Sequence, residues 1–261
     1  MSVVWLGAFA FLAGLVDAVV GGGGLIQLPA LLLLLPADAS RDVASVLGTN
    51  KAASICGTAM AVAQYGSRIA IRWHSIAPAA LAAFVCAFAG SMTVSFLQGA
   101  WLEPAMLVLL VGVALYTFNR PDLGHVHAPA FTVHRERSVG MLVGAALGFY
   151  DGFFGPGTGS FLIFMFVGLF GFDFLSASAS AKVLNFATNL AALLLFASTG
   201  HVLVRYAVPM ALCQVAGSFA GTRIAMTRCN RFVRVVFLVV ATALIARFGW
   251  DVIAPWVRAR S

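Results

Sequence analysis

Gly14-Leu15-Val16-Asp17-Ala18-Val19-Val20-Gly21-Gly22-Gly23 places a carboxylate and a run of glycines inside strongly apolar sequence. The pattern returns as Gly148-Phe149-Tyr150-Asp151-Gly152-Phe153-Phe154-Gly155-Pro156-Gly157. Both read G-x-x-D-x-x-x-G-x-G. Four consecutive glycines (Gly21–Gly24) and Gly155-Pro156-Gly157-Thr158-Gly159 stop a helix where hydrocarbon would otherwise continue. A duplicated break that carries a charge is the sequence mark of a solute path through a membrane built from two related halves.

The composition demands the same setting. Of 261 residues, 61% are hydrophobic and 10% charged, and the mean hydropathy is +0.98. Soluble domains carry about 25% charged residues, so this chain cannot cover a water-facing surface. The net charge of +7 comes from basic residues spread over short loops, which reads as membrane topology rather than nucleic-acid binding. Cys56, Cys86, Cys213 and Cys229 form no C-x-x-C pair and read as small buried hydrophobes. Asp17 interrupts the first apolar run and no basic n-region precedes it, so the opening helix is expected to be retained.

Apolar segments fall near 3–20, 24–36, 43–65, 74–98, 102–118, 139–154, 158–171, 175–199, 202–226 and 232–250. None alternates as a barrel strand would. The expected fold is all-α, a polytopic membrane protein of two homologous halves with 8–10 helical segments. The halves are 1–118 and 139–261, joined by a polar linker at 119–138 placed in the cytoplasm. Residues 25–35 give a helix of only about 16 Å, against a bilayer core of about 30 Å. Segment 158–171 is nearly as short. Each is half of a broken helix or one arm of a re-entrant hairpin, and such backbone survives at depth only where protein or a water-filled cavity surrounds it. Nine Lys/Arg lie in the loops near 66–72, 119–138 and 223–234, against five elsewhere outside the apolar helices. Re-entrant arms leave an odd number of elements per half, which favours inverted over parallel repeats.

The only lysines, Lys51 and Lys182, both sit deep in apolar segments. An ionised side chain there costs at least ~2.5–3.5 kcal/mol. Either they are paired structurally, Lys51 with Asp17 and Lys182 with Asp151, or they snorkel to headgroups, or they attract an anion. The glycine clusters open short helices, whose N-terminal N–H groups and dipole also suit an anion; close helix packing is the other account of them. The candidate substrate-binding set is Gly21, Gly22, Gly23, Thr49, Asn50, Lys51, Gly155, Gly157, Thr158, Ser180, Lys182 and Asn185. Asp17 and Asp151 are candidates to carry a coupling proton, to pair with the lysines or to cap the broken backbone. Gln27, Asn189 and Gln214 are further polar residues at depth, equally suited to interhelical hydrogen bonds. His125, His127 and His134 read as a solvated loop, and no metal site or cofactor is expected.

These motifs, with Leu47-Gly48-Thr49-Asn50-Lys51-Ala52 and Ala179-Ser180-Ala181-Lys182-Val183-Leu184-Asn185, resemble the TauE/SafE family of sulfite exporters over nearly the whole chain. The resemblance implies a multi-pass permease of the cell inner membrane for sulfite, sulfoacetate or related small sulfur-containing anions. Its motif positions fall on Asp17, Gly21, Gly23, Thr49 and Lys51, and on Asp151, Gly155, Gly157, Ser180, Lys182 and Asn185. Pro156 opposite Gly22 and Ala181 opposite Asn50 make the halves unequal. A membrane enzyme lacks a visible nucleophile–base pair or His/Asp cluster. A cation or metal transporter would leave the lysines unexplained, and an accessory protein would not need duplicated charges at depth.

Overall fold

The computed structural model describes residues 2–36, 39, 42–94 and 131–227, with residues 235, 239, 242 and 246. The elements among them are eight helices and no strand: α1 (Ser2–Val20), α2 (Gly23–Leu34), α3 (Val43–Gly66), α4 (Trp73–Met92), α5 (Val133–Phe153), α6 (Thr158–Gly168), α7 (Phe174–Ser198) and α8 (Val204–Thr227). The apolar segment 102–118, nearly all of 232–250, and linker residues 119–130 lie outside the described residues. Val133–Ser138, counted with the linker above, instead form the start of α5. Extended Thr132 begins the helix, and Glu136 puts its negative charge in the first turn, where the helix dipole favours it.

Three helices among the described residues are long and apolar enough to cross a membrane: Val3–Val20, Trp73–Met92 and Phe174–Ser198. Their outward faces carry Trp5, Leu12, Leu81, Val85 and Leu194, large apolar side chains exposed on the protein and suited to lipid. α3 and α7 begin alike: Asp42 accepts from the Ala44 N–H and Asp173 from the Ser176 N–H, each supplying a helix N-terminus with a side-chain acceptor.

Helix directions follow from glycine seams. A Cβ on Gly144, Gly148 or Gly152 of α5 would run into the carbonyls of Ala79, Ala83 and Ala87 of α4, so the two helices lie parallel in near backbone contact. On the other side Gly217 and Gly221 of α8 meet the carbonyls of Phe11 and Leu15 of α1, again in parallel. Small residues allow this approach where lipid offers no hydrophobic drive between helices. α3 runs with α8: Thr49 accepts from the Leu203 N–H, and Ser218 donates to the Gly57 carbonyl. α7 runs against α3.

The two short helices fold back. Leu28, Leu31 and Leu35 share a buried core with Leu6 and Ala10 near the start of α1, while Gly23 touches Asp17 near its end. Phe170, just beyond α6, likewise returns to Gly140 near the start of α5. The segments are therefore arms of re-entrant hairpins, α1–α2 and α5–α6. Two apolar cores result. One holds Tyr65, Ile76, Phe166, Phe170 and Phe172; the other holds Leu6, Leu31, Leu35, Val46, Phe196 and Met210. The tip residues Val19, Val20, Leu25 and Phe154 belong to the first.

Candidate functional site

Each tip turns on glycines in the left-handed region, Gly21 at φ +80° and Gly155 and Gly157 at +93° and +82°, a conformation glycine adopts without steric cost. The tips interlock. Ser160 donates its N–H to the Gly21 carbonyl at 3.1 Å and its hydroxyl to the Val20 carbonyl at 2.8 Å. A Cβ at Gly21 would strike the backbone of Gly159 and Ser160. Interlocking carries the aspartate at the end of one hairpin arm across to the long helix of the other half.

The ion pairs are consequently crossed. Lys51 Nζ lies 2.6 Å from Asp151 Oδ2, and Lys182 Nζ lies 2.6 Å from Asp17 Oδ2. The sequence pairing of Lys51 with Asp17 and Lys182 with Asp151 is thus corrected, because neither lysine faces its own half's tip. Snorkelling is excluded as well: Lys51 is 2% exposed and Lys182 0%.

The pairs differ in their surroundings. Asp17 Oδ1 also accepts from the Gly23 N–H at 3.3 Å, so the carboxylate caps α2 and occupies the end expected to receive an anion. Asp151 has Lys51 as its one hydrogen-bond donor among the described residues. Around them lies a cavity of about 20 Å³, walled by Asp17, Gly21, Asn50, Lys51, Asp151, Gly155, Gly157, Thr158 and Asn185, with room for about one water molecule.

Four sequence candidates stand elsewhere. Gly22 and Gly23 form the α2 turn, Thr49 accepts from Leu203, and Ser180 faces a different cavity. Lys182 reaches the site only through Asp17. The wall also contains Gly24, Ser54, Thr58, Gly159 and Asn189, which the candidate set lacks. A signal for three of them exists: Lys51-Ser54-Thr58 and Lys182-Asn185-Asn189 share the spacing i, i+3, i+7, one face of a helix.

Two larger cavities flank this centre along α3 and α7. One, about 540 Å³, is lined by Asp42, Ser91, Phe196, Thr199 and His201. The other, about 410 Å³, is lined by Arg68, Arg72, Phe172, Asp173, Ser176 and Ser180. Arg72 is held there by Glu136 at 2.6 Å and lies over the Phe172 ring. His134 is exposed on the first turn of α5, while His125 and His127 lie outside the described residues. Among the described residues no group of three or more His, Cys, Asp and Glu is arranged to hold a metal ion.

The sequence is similar to known proteins over most of its length. The family model described as sulfite exporter TauE/SafE matches residues 6–248. A probable membrane transporter protein, ORF9, of Sinorhizobium sp is 34% identical over 94% of this chain and 92% of its own. The probable membrane transporter protein YfcA of Escherichia coli K12 is 31% identical over 93% of this chain and 87% of its own. One from Haemophilus influenzae is 32% identical over 92% of both chains. No solved structure matches.

Proposed function

The chain belongs to the TauE/SafE sulfite exporter family of membrane transporters, and from that premise we propose that it exports a small sulfur-containing anion, sulfite, sulfoacetate or a similar organosulfonate. The anion passes through the central site by alternating access, in a multi-pass protein of the cell inner membrane. The observation that carries this reading is the pair of buried lysines held between two interlocked hairpin tips, with a cavity on either side along α3 and α7. A lysine that can be released from its carboxylate is an anion ligand at depth, and broken helices at a membrane midplane are the usual seat of a transporter site.

The halves act as inverted repeats. Support comes from α3 and α7, which hold equivalent lysines and run antiparallel. α1 begins at the core of Leu31 and Phe196 and α5 beside that of Phe166 and Phe170, so the two approach the tips from opposite ends. Among the described arginines, Arg68, Arg72, Arg135, Arg137 and Arg223 gather at one end, and Arg205 lies at the other. By the excess of positive charge on cytoplasmic loops, the cavity of Arg68 and Arg72 opens to the cytoplasm and receives the anion.

A cation transporter built on Asp17 and Asp151 is disfavoured, since each carboxylate already holds an ammonium group and a cation would meet both lysines. The test is flux in proteoliposomes with labelled sulfite, sulfoacetate, thiosulfate and a divalent cation. Anion flux that falls to background in Lys51→Ala is expected. Cation flux alone, or anion flux undiminished in Lys51→Ala, overturns the reading.

A further inference from the structure

The central site is electrically neutral before any anion arrives. Lys51, Lys182, Asp17 and Asp151 are each at least nine-tenths buried, and each ammonium is bonded to a carboxylate at 2.6 Å. An anion that simply joined them would be an uncompensated buried charge. An anion that displaced a carboxylate from its lysine would leave that carboxylate uncompensated, at a cost of several kcal/mol. One arrangement avoids both: the displaced carboxylate takes a proton as the anion binds.

The two aspartates are not equivalent candidates. Asp17 is held by Lys182 and by the Gly23 N–H at the α2 N-terminus, and Lys182 does not reach the cavity wall. Its carboxylate is thus already engaged by two donors and a helix N-terminus. Among the described residues Asp151 has only Lys51, and both line the cavity. Lys51 Nζ also lies 3.3 Å from where a Gly155 Cβ would be, against the bare backbone of the tip. Asn50 adds a second sign. It is 5% exposed on the cavity wall and its side-chain oxygen has no donor among the described residues. An anion brings only acceptors, whereas a protonated carboxyl group brings the missing donor.

The remaining titratable groups near Asp151 do not substitute for it. Neighbouring Tyr150 donates its hydroxyl to the Pro156 carbonyl. α6 has no titratable side chain, and α7 contributes Lys182, already held by Asp17. α4, packed along α5, has Cys86 and, at its start, His74. α3 supplies Lys51 itself, with Cys56 and Tyr65 further along, and Tyr65 donates to the Ala18 carbonyl.

We propose that the protein is a proton–anion symporter in which Asp151 binds one proton for each singly charged anion bound. The proton neutralises the carboxylate, and the Lys51 ammonium, keeping its own protons, turns to the anion. Release on the far side returns the proton and re-forms the Lys51–Asp151 pair. Asp17–Lys182 stays ionised throughout and holds the tips together. This rests on the anion reading above.

The test counts protons taken up when methanesulfonate, a singly charged organosulfonate fully ionised near neutral pH, or sulfite as its monoanion binds the purified protein in weak buffer. Asp151→Asn should bind the same anion while taking up one proton fewer per anion, and Asp151→Glu should restore the count. Equal counts in wild type and Asp151→Asn overturn the proposal while leaving the anion reading intact. Absence of any anion binding or flux in the wild type overturns both. Should neither variant fold, the wild-type affinity for the anion that binds, corrected for any titration of the anion itself, decides. A rise of about tenfold per unit fall in pH is expected, and a pH-independent affinity overturns the proposal.

Discussion

Lys51 on α3 and Asp151 on the α5–α6 hairpin, far apart in sequence and in opposite halves, are bonded at 2.6 Å beneath the surface. The bond ties α3 to the hairpin tip of the other half. Any rearrangement that exposes the central site must lengthen or exchange it.

Removing one partner is expected to be worse than removing both. Lys51→Ala leaves the Asp151 carboxylate buried without a counter-charge and should cost about 3–5 kcal/mol. Lys51→Met with Asp151→Leu should recover most of that stability and none of the transport. Thermal unfolding in detergent beside liposome flux separates the two effects; equal destabilisation in the single and double variants contradicts the crossed pairing.

Gly21 and Gly157 at the tips resist a side chain for different reasons. Gly157→Ala forces a left-handed residue and should cost about 1–2 kcal/mol. Gly21→Ala adds a collision with Gly159 and Ser160 and should lose more. Comparing their unfolding temperatures checks the order, which reverses if the tips are not interlocked.

Close packing along α4 and α5 makes a similar prediction far from the site. Gly148→Leu would drive a side chain into the Ala83 backbone and should destabilise by at least the roughly 1–3 kcal/mol of overpacking. Gly66→Ala has open space around it and should be neutral by comparison. Folded yield and melting temperature of both variants supply the check.

The end cavities should be reachable from opposite sides. After replacement of the four native cysteines, Ser176→Cys should react with a membrane-impermeant maleimide only from the arginine-rich face, which the proposed orientation puts in the cytoplasm. Thr199→Cys should react only from the other. Labelling of both from one face would contradict the inverted arrangement and the assigned orientation.

Much of this protein was legible in the residues alone. Charge content and hydropathy required a membrane, because 10% charged residues cannot solvate a surface. The glycine clusters marked the two breaks, since a helix cannot continue through four glycines unaided, and the lysines marked the depth of the site. The sequence also held the Lys51-Ser54-Thr58 and Lys182-Asn185-Asn189 faces, because helical spacing is a local property. Tertiary structure alone decided that the short helices return as hairpins, that Thr49 and Ser180 leave the central site, and that each lysine bonds the other half's aspartate. Those outcomes depend on how two tips interlock between antiparallel α3 and α7. That contact joins residues far apart in the chain, and no periodicity within either segment encodes it.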